Sequence, residues 1–78
     1  MRDIGKNIRD LRQQKHLTQE ELAERLFVTR QTISNYENGR TRPDVDQILR
    51  LAEIFDTDAN AVLYGPPVPE GRKTALIQ

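Results

Sequence analysis

The sequence predicts an all-α protein, a compact five-helix bundle that contains a helix-turn-helix motif. Two observations support this fold class. Apolar residues recur at helical spacing in five short stretches, and no stretch has the convincing pattern of a strand. Capping residues stand in the short turns between these stretches, so each predicted helix has a marked beginning and end.

The first two helices follow from an apolar stripe and a capping box. The stripe of the first helix consists of Ile4, Ile8 and Leu11. Thr18 and Glu21 have the spacing of a capping box, which predicts that the second helix begins there. Leu17 before the cap and Leu22 after it form a hydrophobic staple. The buried face of this short helix consists of Leu22, Ala23 and Leu26.

The third helix follows almost at once. Thr29 is its predicted N-cap, with Val28 and Ile33 as the staple. The helix is expected to end before Gly39, because glycine is the usual left-handed terminator. Only residues 27–29 separate the second helix from the third, and so tight a connection favours the corner of a helix-turn-helix.

The last two helices are predicted in the same way. Asp44 and Gln47 have the spacing of another capping box, and Asp58 can cap a fifth helix that runs through Leu63 and ends at Gly65. The apolar residues of the fourth helix recur at helical spacing and are Val45, Ile48, Leu49, Ala52 and Phe55.

The helices end before a cluster of prolines. Residues 1–65 are expected to form the whole folded domain, since 78 residues leave room for one small domain. The segment 66–78 begins with Pro66-Pro67-Val68-Pro69, which cannot continue a helix. It is therefore expected to be a flexible, Pro-containing C-terminal tail.

The composition excludes several classes of function. The chain has no Cys and one His, so disulfide frameworks, Cys zinc sites, Cys nucleophiles and paired His ligands are excluded. No nucleophile–base pair or metal cluster stands out, so we expect no enzyme activity, no metal and no cofactor. No apolar run is long enough to span a membrane and the N-terminus has no hydrophobic stretch, so we expect a cytoplasmic protein without a membrane partner.

The charges balance in number and are unevenly distributed. The formal net charge is zero, which argues against binding nucleic acid through bulk charge alone. The net charge is nevertheless +3 over residues 1–17 and +2 over 28–43, against −2 over 18–27 and −4 over 44–65. The first and third helices are thus expected to carry a basic surface, although simple solvation of helix faces explains such charges equally well.

The third predicted helix, 29–38, carries a set of side chains that suits DNA. If the staple residue Ile33 points inward, the opposite side presents Arg30, Gln31, Ser34 and Asn35. Arg can bind guanine with two hydrogen bonds, Gln and Asn can bind adenine in the same way, and an α-helix fits the major groove. Each residue alone is typical of an ordinary exposed helix face, but the set predicts recognition of base edges.

Other polar residues stand where they could bind phosphates. Gln19 lies in the first turn of the second helix, where backbone N–H groups and the helix dipole favour an anion. Three more flank the end of the third helix: Asn38, Arg40 and Thr41. We expect these four residues to hold the DNA backbone on the two sides of the groove.

Two strings of this chain resemble a known family. Thr-Gln-Glu-Glu-Leu-Ala at 18–23 and Gln-Thr-Ile-Ser-Asn-Tyr-Glu-Asn-Gly at 31–39 resemble the helix-turn-helix of phage repressor and Cro-type regulators, the Xre family. The resemblance extends over about residues 4–65 and implies a lambda-repressor-like fold. It implies a transcriptional regulator, usually a repressor, that binds an operator as a dimer on an inverted repeat. It also implies that Glu37 forms a structural ion pair with Arg12.

The chain departs from the family pattern at two turns. It has Phe27 and Asp56 where the family usually has glycine. A left-handed conformation costs a bulky residue roughly 1–2 kcal/mol. We therefore expect that either the turn differs or packing holds Phe27 in place, whereas Asp tolerates this conformation better.

The apolar residues of the fifth helix and the tail also bear on protein partners. A homodimer contact is expected on the fifth helix, residues 59–63, with the adjoining tail. The alternative function is that of an antitoxin or another protein-interaction module, in which the tail binds a partner protein and the helix-turn-helix still binds DNA.

Overall fold

A computed structural model describes residues 3–65, which form five α-helices. They are α1 Ile4–Gln14, α2 Gln19–Leu26, α3 Arg30–Glu37, α4 Val45–Ile54 and α5 Ala59–Tyr64. The predicted all-α five-helix fold is thus confirmed. The predicted tail, 66–78, lies outside the described residues. Across residues 3–65, every helix is too short or too polar to cross a membrane.

Each helix begins at a side chain that accepts a hydrogen bond from the backbone N–H three residues later. These N-caps are Asp3, Thr18, Thr29, Asp44 and Asp58. The capping box of α2 is complete, because Thr18 N–H also donates to Glu21 Oε1 at 2.9 Å. Each cap satisfies an N–H that the helix leaves unpaired and contributes about 1 kcal/mol. The sequence predicts all of these caps except Asp3.

The first four helices end in the same left-handed motif. A residue just after each helix has a positive φ, namely His16 (57°), Phe27 (60°), Gly39 (76°) and Asp56 (55°). The next N–H then bonds to a carbonyl five positions back: Leu17 to Arg12 and Val28 to Ala23, both at 3.0 Å. This is the Schellman motif. Only Gly39 is a glycine, so the other turns hold a side chain in a conformation that L-residues disfavour.

Both expectations for the turn between α2 and α3 are wrong. Phe27 adopts the left-handed conformation of a glycine turn (φ 60°, ψ 41°), so the turn does not differ. Phe27 is also 85% exposed, so packing does not hold its ring. The backbone bonds of the Schellman motif and the packing of the next residue, Val28, against the core fix the turn instead.

The core lies where the helices meet. Its largest fully buried side chains are Ile8, Leu22, Leu26, Ile33, Leu51, Phe55 and Val62. α1 packs against α3 and α5, α2 packs against α3 and α4, and α4 packs against α5. This packing holds α3 by one side and leaves its other side accessible.

The apolar pattern of α4 is buried only in part. Val45 and Leu49 are 71% and 50% exposed, whereas Leu51 is fully buried. Leu49 lies about 100° around the helix from Ile48, at the edge of the buried face. The face that packs on the core is centred instead on Leu51 and Phe55, which are four residues apart.

Candidate nucleic-acid interface

The exposed side of α3 lies opposite its buried side. Ile33, Tyr36 and Glu37 are buried. The four side chains predicted to contact base edges are accessible, with Arg30 and Gln31 exposed and Ser34 and Asn35 half-buried. We refer to these four residues as the recognition face.

Two hydrogen bonds order the side chains along this part of α3. Gln31 Nε2 donates to Asn35 Oδ1 at 3.0 Å, and Asn38 Nδ2 donates to Ser34 Oγ at 3.3 Å. Both bonds join residues four apart, which are neighbours on a helix surface. The structure therefore brings two residues of the recognition face together and links a third to the predicted phosphate-binding residue Asn38.

The loop after α3 is attached to the recognition face through Asn35. The backbone N–H of Arg40 donates to Asn35 O at 2.9 Å, and that of Thr41 lies 3.4 Å from the same oxygen. The side chains of Asn38, Arg40 and Thr41 are exposed. The residues predicted to bind phosphate at this end thus stand on backbone that is fixed relative to the recognition face.

Glu37 joins three helices through one buried carboxylate, which is 1% exposed. Arg12 of α1 binds it with both ends of its guanidinium, Nε to Oε2 at 2.7 Å and Nη2 to Oε1 at 3.1 Å. Gln19 Nε2 of α2 donates to the same Oε1 at 3.1 Å. Two-bond contacts between Arg and a carboxylate are strong and directional. Glu37 therefore sets the position of α3 relative to α1 and α2.

Gln19 is half-buried in the first turn of α2 and lies next to this ion pair. Its side-chain amide has two N–H groups, of which one donates to Glu37. The second N–H is not used in this bond, and the first turn of α2 also carries Glu20 and Glu21. Gln19 thus joins the start of α2 to the buried ion pair.

Two residues of α1 that the sequence analysis missed also hold the end of α3. A Cβ on Gly5 would lie 2.3 Å from Tyr36 O and 2.7 Å from Glu37 O, so the two helices approach too closely for any side chain there. Arg9 Nη2 donates to Glu37 O at 3.3 Å. Since α3 has no basic residue in its own last turn, Arg9 and Arg12 supply the positive charge that a helix C-terminus favours. A single glycine inside a helical pattern is the signal that could have found Gly5.

Two surface groups on α1 and α2 have shifted pKa values. The hydrogen bond from Thr18 N–H lowers the pKa of Glu21 below its ordinary value, because it favours the carboxylate. The hydrogen bond to Asp10 raises the pKa of Lys6. Both shifts favour the charged forms and stabilise helices. Within residues 3–65 there is no cluster of His, Cys, Asp and Glu side chains that could hold a metal ion.

Comparison with known proteins agrees with this geometry. The helix-turn-helix family model matches residues 8–61. The chain is 31% identical over 74 residues to the HTH-type transcriptional regulator ImmR of Bacillus subtilis, and the matched region covers 95% of this chain and 58% of ImmR. It is 37% identical over 59 residues to the ImmF control region 10 kDa protein of Bacillus phage phi105, and the matched region covers 76% of this chain and 66% of that protein. The chain thus spans less than two thirds of the length of these relatives.

The fold is similar to that of the P22 c2 repressor, solved in complex with a synthetic operator. The TM-score is 0.73 at 25% identity, over 81% of this chain and 96% of that chain. The fold and the accessible face of α3 define a helix-turn-helix protein. The chain belongs to the helix-turn-helix family of the Cro and phage-repressor type.

Proposed function

We propose that this protein is a sequence-specific DNA-binding transcriptional regulator, a repressor that acts in the cytoplasm. In this proposal α3 enters the major groove of an operator, and the protein catalyses no reaction. The observation that carries the proposal is the recognition face, a polar surface with Arg, Gln, Ser and Asn on a helix whose opposite side is locked into the core. These side chains match the hydrogen-bonding groups of base edges in the major groove.

The residues around α3 fit the role of phosphate contacts in this proposal. Gln19 precedes α3 at the start of α2, and the exposed side chains of Asn38, Arg40 and Thr41 follow it. Contacts to phosphates set the register and orientation of a protein on DNA, and contacts to base edges supply the specificity. We therefore assign affinity for any sequence to these four residues and discrimination between sequences to the recognition face.

We further propose that two copies bind one inverted repeat, with half-sites about one helical turn, 34–36 Å, apart. The dimer contact expected on α5 has to involve other residues of this helix than Ala61 and Val62. Ala61 and Val62 are buried in the core of their own chain, so the second copy would contact the half-buried Leu63 and the exposed Tyr64 instead.

The test is selection of bound sequences from a pool of random duplexes by the purified chain. We expect the pool to converge on one inverted repeat. The double variant Arg30→Ala/Gln31→Ala is expected to lose this convergence, and the matched variant Gln13→Ala/Gln14→Ala, on exposed positions of α1, is expected to keep it. A bound pool that stays random, with affinity that falls steeply as salt is added, would contradict the proposal, because that behaviour is typical of non-specific binding.

A further inference from the structure

The side chains of Gln31 and Asn35 form a hydrogen-bonded pair within the recognition face. Gln31 Nε2 donates to Asn35 Oδ1 at 3.0 Å. Asn35 is the less mobile member of the pair, because its side chain is shorter and half-buried, and its backbone carbonyl accepts the N–H of Arg40 at 2.9 Å. Gln31 is exposed and has the longer side chain, so the bond orients Gln31 more than it orients Asn35.

While Asn35 presents its Oδ1 to Gln31, this bond sets which way the amide of Gln31 faces. A Gln amide has one carbonyl oxygen and two N–H groups on its nitrogen. Asn35 Oδ1 can accept only from the nitrogen, so the bond fixes the Gln31 oxygen on the opposite side. Without the bond, the amide could turn over and exchange its donor and acceptor ends.

The groups that Gln31 keeps match one base. The bond to Asn35 uses one N–H and leaves a second N–H and the carbonyl oxygen of Gln31. Adenine presents an N6 donor beside an N7 acceptor in the major groove, which is the complementary pair. A Gln31 side chain held in this orientation is therefore matched to adenine.

We propose that Asn35 is a positioning residue that acts through Gln31, and that the pair specifies one adenine–thymine base pair with its adenine against Gln31. This inference rests on the proposed function. It changes the role of Asn35 from a separate contact with a base to support of its neighbour. Thermodynamically, the contributions of the two residues to specificity are then coupled rather than independent.

A double-mutant cycle on the full chain tests this inference. The affinity of the wild-type protein, Gln31→Ala, Asn35→Ala and the double variant is measured on the selected operator and on duplexes with each base pair replaced in turn. The wild-type protein is expected to prefer adenine at one position by about 5- to 150-fold. Asn35→Ala is expected to lower the preference at that same position, and the double variant is expected to match Gln31→Ala. The control variant Gln14→Ala, on α1, is expected to keep every preference.

Asn35→Asp separates positioning from direct contact, because it keeps the oxygen that accepts from Gln31. We expect it to keep the preference for adenine while its negative charge weakens binding to all sequences. Three results would overturn the inference. The first is that Asn35→Ala loses base preference at a second base pair. The second is that the losses of base preference in the two single variants multiply in the double variant, and the third is that Asn35→Asp has a preference for adenine as low as that of Asn35→Ala. If the wild-type protein shows no base preference at any position, the proposed function fails as well, which distinguishes the two failures.

Discussion

At the scale of single residues, His16, Phe27 and Asp56 show backbone hydrogen bonds prevailing over side-chain preference. Each adopts a positive φ at the end of a helix, where glycine is favoured. The sequence indicates where these helices end, since the following residue begins a new pattern. It does not indicate that the ring of Phe27 stays in solvent. Hydrogen bonds to carbonyls on the preceding helix stabilise the left-handed conformation, so the ring does not have to be buried.

Phe27→Gly is expected to stabilise the protein by up to about 1.5 kcal/mol. The substitution relieves roughly 1–2 kcal/mol of left-handed strain, and the added freedom of glycine in the unfolded chain offsets about 0.5–1 kcal/mol of this gain. Little burial is lost, because Phe27 is 85% exposed. Urea unfolding measures the difference. Phe27→Ala is the control, since it removes the ring but keeps the strained Cβ, and a Phe27→Gly protein less stable than Phe27→Ala would contradict this explanation.

The Glu21 carboxylate is expected to stabilise α2 in a pH-dependent way. Its pKa in the folded protein lies below the ordinary value of 4.5, because the Thr18 N–H favours the ionised form. The stabilisation is therefore fully present above pH 4.5 and is lost as the pH falls through the lower, folded pKa. Unfolding midpoints of the wild-type protein and Glu21→Gln should differ above pH 4.5 and converge in stronger acid. Glu24→Gln on the same helix is the control, and a difference for Glu21→Gln that stays constant into strong acid would refute this role.

At the scale of helices, the sequence predicts the order and most of the boundaries correctly. Capping residues such as Thr18 and Asp44 carry a strong local signal, because they bond to backbone only three residues away. The position of α1 against α3 is less predictable. It depends on Gly5, whose significance arises from carbonyls more than thirty positions further along the chain.

Gly5→Ala is expected to destabilise the protein by about 1–3 kcal/mol, the usual cost of overpacking. Alanine normally favours a helix interior over glycine, but here the added Cβ would lie 2.3 Å from Tyr36 O. Chemical unfolding measures the effect, with the exposed α1 substitution Gln13→Ala as a neutral control. A Gly5→Ala protein as stable as the wild-type protein would show that α1 can move away from α3 at no cost.

Glu37→Leu is expected to cost about 3–5 kcal/mol, because it leaves the guanidinium of Arg12 with no carboxylate while largely buried. The double variant Arg12→Met/Glu37→Leu removes both charges and should be more stable than Glu37→Leu alone. A thermodynamic cycle on the two single variants and the double variant measures this coupling. Losses that simply add would mean that the pair does not act as a unit in holding α3.

At the scale of the whole molecule, the sequence predicts the fold class and the helix that carries the recognition face. The pairing of Gln31 with Asn35 could have been predicted, because residues four apart are neighbours on a helix surface. The pairing of Gln19 with Glu37 could not, because these residues meet only when α2 packs against α3. The contact between two copies is also beyond the sequence, since the apolar residues of α5 could serve the core or an interface, and Ala61 and Val62 serve the core.

The central claim, that α3 enters the major groove, is tested most directly by chemical protection of the selected operator. Dimethyl sulfate methylates guanine N7 in the major groove and adenine N3 in the minor groove. We expect bound protein to protect guanine N7 in two patches, about one helical turn or 34–36 Å apart, and to leave adenine N3 reactive. Saturating binding that leaves every guanine N7 reactive, or that protects adenine N3 instead, would contradict the claim.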